Sequence, residues 1–197
     1  MSGPGHGHAH GHDHGHGSPE NRRVALLISV LALVLAFSET LGKSTQTAAL
    51  SHNIEASNLW SFFQAKTIRM TTLRTAAEQV ELELKQIADV AAREAFEQRI
   101  AAWRRTAERY DNEPETQEGR RQLAARAKTS EEKRTQALAA YHHYEIASAA
   151  VQIAIVIASA SIITGMMWLI WVAGGLGILG AAFCLIGFFA PNLVHLY

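Results

Sequence analysis

From Ile146 to Ala190 the chain carries no charged side chain. An apolar run of that length constrains the fold more than any motif does. Helices that are apolar on every face have no side to present to water, so they belong in a large core or in a lipid bilayer. The run has one break, Thr164-Gly165-Met166-Met167, and on either side of it a segment of about twenty residues fits a bilayer crossing. The spans expected are 146–164 and 167–189, with Pro191 ending the second and a short tail over 190–197. Trp168 and Trp171 follow the break, where indole rings favour the headgroup layer.

A second apolar segment lies near the other end. Val24 to Phe37 is strictly apolar. Extending it through Ser38, Glu39, Thr40, Leu41 and Gly42 gives the length of a span, so 22–42 reads as a first transmembrane helix. Arg22-Arg23, an apolar stretch and then "AFS" also resembles a cleavable signal peptide. The segment ahead of the arginines is long for one, which favours a retained helix.

Lys and Arg together equal Asp and Glu at 18 each, so the formal charge is zero and gives no reason to expect nucleic-acid binding. The charges are segregated. Apart from Arg22 and Arg23, every basic side chain falls in 43–145. The layout is that of an all-α membrane protein: three transmembrane helices, the last two forming a hairpin, with one soluble insert.

The insert, 43–145, is rich in Ala, Glu, Gln, Arg and Leu and reads as helical, with Pro114 in "DNEPETQEG" marking a turn near 111–119. Val80, Leu84, Ile87 and Ala91 share one face. Phe96, Ile100, Trp103, Ala107 and Tyr110 follow with shifted phase, at the steps of three and four of a coiled-coil-like seam. Leu123, Ala127, Leu138 and Tyr141 mark a weaker seam, diluted by Ser130 and Arg134. The simplest reading is an antiparallel hairpin turning at 111–119. Its arms then disagree: ~100 Å out from Lys43 to Tyr110, ~45 Å back from Glu115 to Glu145. The outgoing arm is therefore expected to break, with Thr71–Thr75 the candidate, or residues 44–70 to lie along the membrane surface.

Small residues recur at helical spacing in the spans: Ala154, Ala158 and Ser161 in the second, Gly177, Gly180 and Gly187 in the third. In lipid, where helix association gains little from the hydrophobic effect, close backbone approach through small residues supplies the contact.

The densest set of candidate metal ligands is the tail. His6, His8, His10, His12, His14 and His16 alternate within a disordered, Gly-rich segment, 1–21. Neutral imidazoles bind zinc, nickel, copper or cobalt, but a flexible row is not preorganised, and ordering entropy limits its affinity. No metal or other cofactor is required by anything else in the chain. His142 and Glu145, three apart, could share a helix face beside the second span. No catalytic triad order, phosphate-binding glycine loop or paired catalytic carboxylate stands out, so no enzymatic activity is expected.

The most distinctive stretch of the insert is "HNIEASNLWSFFQAKTIR", 52–69. Asn53, Ser57, Trp60 and Gln64 fall on one face, with Glu55, Asn58 and Lys66 beside it. Polar amides interleaved with Trp60, Phe62 and Phe63 suggest a specific interface or a membrane surface. The pattern formed by Asn53, Glu55, Asn58, Trp60, Phe63, Gln64 and Lys66, with one N-terminal span and a C-terminal pair of spans, resembles the bacterial "domain of unknown function 4337" family over about residues 20–190. The resemblance implies this architecture and an inner-membrane location, and no activity. It also implies basic residues between the last two spans, which Thr164–Met167 lacks.

Arg22 and Arg23 put the N-terminus in the cytoplasm by the positive-inside rule, and an insert longer than about sixty residues crosses regardless of charge. The insert is then periplasmic. The expected protein is a structural or interaction protein whose helical stalk forms a homo-oligomer or docks an unidentified protein partner. The alternative is a metal-linked transport accessory or sensor working through the histidine tail, and a pore-forming oligomer ranks below both.

Overall fold

The computed structural model describes residues 19–192, and the histidine row of residues 6–16 lies outside the described residues. Among the described residues the chain forms four helices and no strand: α1 (Pro19–Leu84), α2 (Val90–Asp111), α3 (Arg120–Thr164) and α4 (Trp168–Phe189). The protein is all-α. Three of the helices, α1, α3 and α4, contain stretches long and apolar enough to cross a membrane. Contacts divide the chain into two units. One holds residues 19–38 with Ile146–Cys184, the other Glu39–Glu145 with residues 185–192.

The first unit is built on small residues. Val24, Leu31, Val151, Ala154, Ala158 and Ala173 form its core, with Val34, Leu35, Ile155 and Leu176 against them. Ser161 is buried, and its hydroxyl donates to the Ala158 carbonyl at 2.6 Å, so the one polar group in the row is satisfied within its own helix. Gly177 and Gly180 are buried as well. Leu31 occupies the space that a Cβ on Gly177 would need, and a Cβ on Gly180 would meet the Ala147 carbonyl oxygen at 3.0 Å and the Val151 side chain. The outward positions are large and apolar, among them Leu26, Val156, Trp171 and Ile178. α3 stops at Gly165, whose φ of +68° is a left-handed conformation suited to glycine, and the Gly165 N–H closes the helix on the Ser161 carbonyl at 2.9 Å.

In the second unit α1 continues unbroken to Leu84. Residues 71–75 are helical, and the break expected there is absent. The chain turns instead at 85–89, where Asp89 caps α2 by accepting from the Ala91 N–H at 3.0 Å. α2 runs back along α1, with Arg104 on Glu81 at 2.6 Å and Ala77 and Ala107 both buried. α3 then continues the return, placing Arg120 on Thr67, Trp60 on Glu131 and Asn53 on Arg134. The segment 112–119 is therefore a link within the returning arm and not the tip of the hairpin. This removes the mismatch. At ~1.5 Å per residue, the way out from Lys43 to Leu84 is ~63 Å, and α2 with the first part of α3 returns ~70 Å.

The seam on α1 is regular. Gly42, Thr45, Ala49, His52, Ala56, Leu59, Phe63, Lys66, Met70, Leu73, Ala77, Val80 and Leu84 are all buried or half-buried, in strict alternation of three and four residues. On α2 the five seam residues expected from spacing, Phe96 to Tyr110, are likewise turned in. Ala91 is exposed, because the turn at 85–89 comes before it and ends the phase set by Val80 and Leu84. On α3, Leu123 and Ala127 are fully enclosed, Leu138 is exposed, and Ser130 and Arg134 belong to the seam.

Gly180→Val is expected to destabilise the folded protein by about 1–3 kcal/mol through overpacking. Gly174→Val should not, because a Cβ at Gly174 meets nothing within 4 Å. Thermal unfolding in detergent separates the two, and equal melting temperatures would refute the close approach at Gly180.

Candidate functional site

Within the second unit, polar chemistry concentrates where α2 gives way to α3 against the middle of α1. Lys66 lies on the inward face of α1 and is buried, its side chain 8% exposed. Its ammonium faces Glu113 Oε2 at 3.4 Å and Glu118 Oε2 at 4.0 Å, both on the link. The rings of Phe62 and Tyr110 hold it at 5.4 and 5.0 Å from their centroids. An enclosed cation is tolerable only when charge and hydrogen bonds compensate it, and here carboxylates and ring faces both do.

Arg120 makes the reciprocal contact. From the first turn of α3 its Nε donates to Thr67 Oγ1 at 2.8 Å and its Nη1 to Asp111 Oδ1 at 3.1 Å. The guanidinium lies 4.9 Å from the centre of the Phe63 ring. Arg121 takes the other Asp111 oxygen at 2.9 Å. A cation at a helix N-terminus and an anion at a C-terminus each oppose the helix dipole, by roughly 0.3–1 kcal/mol. Asp111 ends α2 and Arg120 begins α3, so the two unfavourable positions are joined to each other.

Backbone and amide contacts fix the rest of the link. Gln122 donates to Asn112 Oδ1 at 2.6 Å and accepts from the Glu113 N–H at 3.3 Å. Gly119 has no room for a side chain, since a Cβ would strike the Glu113 nitrogen and the Gln122 amide. Gln117 adopts a φ of +59°, uncommon for a residue with a side chain, and its amide donates to the Pro114 carbonyl at 2.7 Å.

One turn away, Trp60 Nε1 donates to Glu131 Oε1 at 2.8 Å, and its ring meets Phe63 edge-on, centroids 5.4 Å apart. Both pack on Leu59, Leu123 and Ala127. Of the motif residues, Trp60, Phe63 and Lys66 are thus engaged inside the chain. Asn53, Glu55, Asn58 and Gln64 are exposed, Asn53 accepting from Arg134 Nη1 at 3.0 Å and Glu55 lying 3.6 Å from His52. The structure separates the face read from the sequence: Ser57 and Gln64 point outward, and the inward set is the neighbouring one, Ala56, Leu59, Phe63 and Lys66.

Asp111, Glu113, Arg120 and Glu131 were not singled out by the sequence. The usable signal was Lys66, a single charge set among Phe62, Phe63 and Ile68, which asks for acidic partners from the facing chain. Gly187, in the same unit, is buried with His143 Cβ 3.0 Å from where its Cβ would lie, and His143 Nε2 is 3.1 Å from the Pro191 carbonyl. His142 and Glu145 share a face, 3.6 Å apart. Among the described residues no three His, Cys, Asp or Glu side chains converge on a common point.

Lys66→Ala is expected to cost about 1–3 kcal/mol, since the ring and carboxylate contacts are lost while Glu113 keeps Arg109 at 3.6 Å and Glu118 stays half exposed. Lys66→Met, which keeps the stem, should cost less. A urea titration of both variants checks this, and a loss no greater than that of exposed Lys128→Ala would refute the lock. In a double-mutant cycle, Trp60→Phe with Glu131→Gln should show a coupling of about 0.5–3 kcal/mol, and additive losses would contradict the contact.

No curated protein and no solved structure matches the chain. The family model described as "domain of unknown function 4337" matches residues 20–190. That stretch takes in all four helices and the link between α2 and α3, and the chain belongs to this family.

Proposed function

We propose that the protein is a non-catalytic interaction protein of the bacterial inner membrane. Three helices cross the bilayer, the N-terminus is cytoplasmic, and the second unit stands as a periplasmic stalk that self-associates or docks a protein partner. The observation that carries this reading is the state of the stalk's reactive side chains. Trp60 with Glu131, Lys66 with Glu113 and Arg120 with Asp111 are paired, bracing the helices against one another. A helical rod whose inward-facing polar groups are engaged with one another suits the spacing and joining of molecules.

The orientation rests on Arg22 and Arg23. Cysteines introduced at Ser44 and Thr116 are expected to react with an impermeant maleimide from the periplasmic side in intact cells, and cytoplasmic labelling of Thr116 would overturn the orientation. The mass of the detergent-solubilised protein, with crosslinked partners identified, tests the interaction reading. A monomer that captures no partner would end it.

The second reading, a metal-linked accessory, is favoured by the alternating histidines alone. Deleting residues 1–17 should leave oligomer mass and melting temperature unchanged on the first reading. Impaired growth under zinc, nickel, copper or cobalt stress after the deletion would favour the second.

A further inference from the structure

The outward side of α1 in the second unit has an unusual composition. Opposite the seam, the outermost row is Thr47, Ile54, Ser61, Ile68, Thr75 and Leu82, at intervals of seven, and all six are exposed. The rows flanking it carry no charged residue between Ser44 and Ala77 either. The charges of this segment, Glu55, Lys66, Arg69 and Arg74, stand beside the seam or in it. The exposed positions of α3 in the same unit are different, with Arg121, Arg126, Lys128, Glu132 and Lys133 among them. A helix face meant for water normally carries such charges.

Three hydroxyls of the face point the same way. Thr47 donates to the Lys43 carbonyl at 2.9 Å, Ser61 to Ser57 at 2.9 Å and Thr72 to Ile68 at 2.9 Å. Their protons are already placed within the helix, so covering them leaves no orphan donor. Relief is present as well. Ser44, Thr47, Ala48 and Ser51, with Thr40 and Lys43 at its N-terminal edge, line a shallow hollow, and Leu50 and Ile54, 59% and 52% exposed, project within a turn of it.

We infer that this uncharged face of α1 is covered by the same face of a second copy of the chain, in parallel, about a two-fold axis along the helix. The inference rests on the proposed membrane anchorage and self-association. Copies held by the same spans in one bilayer have the same direction, so like residues meet at like height. A charge on such a face would meet its own sign, and the face has none. Over ~34 residues the helix presents a strip ~50 Å long and roughly 10 Å wide, about 500 Å² per partner, which is at the small end of specific interfaces.

The test uses the full chain in native membranes. With Cys184, the only cysteine, changed to Ser, single cysteines are placed at Ile54, Ser61 and Ile68, and at Lys128 and Arg105 as controls. Oxidation should give covalent homodimers at the three α1 positions and none at the controls. The double variant Ser61→Glu with Ile68→Glu should lose the oligomer in detergent and keep its helix content. No dimer at the α1 positions, equal yield at Lys128, or an adduct with a different protein would overturn the assignment. An oligomer that survives both glutamates would overturn this face while leaving self-association standing, and a monomeric wild type would remove both.

Discussion

A single helix that runs without interruption from Pro19 to Leu84 must be covered along its inner side, and the second unit is organised by that need. A seam stepping three and four residues turns slightly against a straight helix, so partners that follow it wind gently around it. One helix of equal length could have covered α1. The chain uses two, α2 and the first part of α3, both running against α1. The joint between them is the weak point of such an arm, since it interrupts two hydrogen-bonded helices and exposes their ends. Lys66 from α1 and Arg120 from α3 converge there, each bridging to the segment that the other does not hold. The only fully enclosed long hydrophobe of the arm, Leu123, sits next to this joint.

The architecture was legible in the sequence because it depends on gross segregation. A charge-free run, a Gly165 break and a polar insert leave few alternatives to an all-helical chain, and Phe96 to Tyr110 announced α2 by spacing. The seam of α1 was not legible in the same way. Its inward residues include Gly42, Thr45, Ala49, His52 and Ala56, so a search for large apolar side chains passes over them, while Leu50 and Ile54 on the outer side draw the eye. The tip of the hairpin was misplaced for a related reason. Pro114 and Gly119 are strong turn signals and sit in a true break, but a break need not reverse the chain. Lys85-Gln86-Ile87-Ala88-Asp89 has no Gly or Pro and reverses it nonetheless. Arm length, and not turn composition, distinguishes the two.

The site residues divide by the same logic. Trp60 and Phe63 stood out by their size, and Lys66 by its neighbours. Their partners on 111–131 could not be matched to them while the hairpin was folded at the wrong place. With the reversal at 85–89, Glu113 falls opposite Lys66 and Glu131 opposite Trp60 as a matter of register. The distinctive stretch "NLWSFFQAK" then has two sides with different work. Leu59, Trp60, Phe63 and Lys66 hold the returning arm, and Asn58, Ser61 and Gln64 lie on the side left open.

The two units reach close contact by opposite means, and the difference follows from solvent. In the first, Ala154, Ala158, Gly177 and Gly180 let backbones approach until Leu31 and Val151 touch main chain. In the proposed bilayer that is the contact available, because lipid offers no hydrophobic gain and punishes any unsatisfied polar group. Ser161 returning its proton to Ala158 obeys the same restriction. In the second unit, water makes burial of Leu59, Phe63, Ile100 and Leu123 favourable in itself. Cations can be enclosed there, since carboxylates from a polar link are at hand to meet them. The outer face of α1 follows neither pattern. Like the core of the first unit it is uncharged, and Thr47, Ser61 and Thr72 close on carbonyls of their own helix, yet it belongs to the second. A surface prepared in that manner is prepared to lose its water.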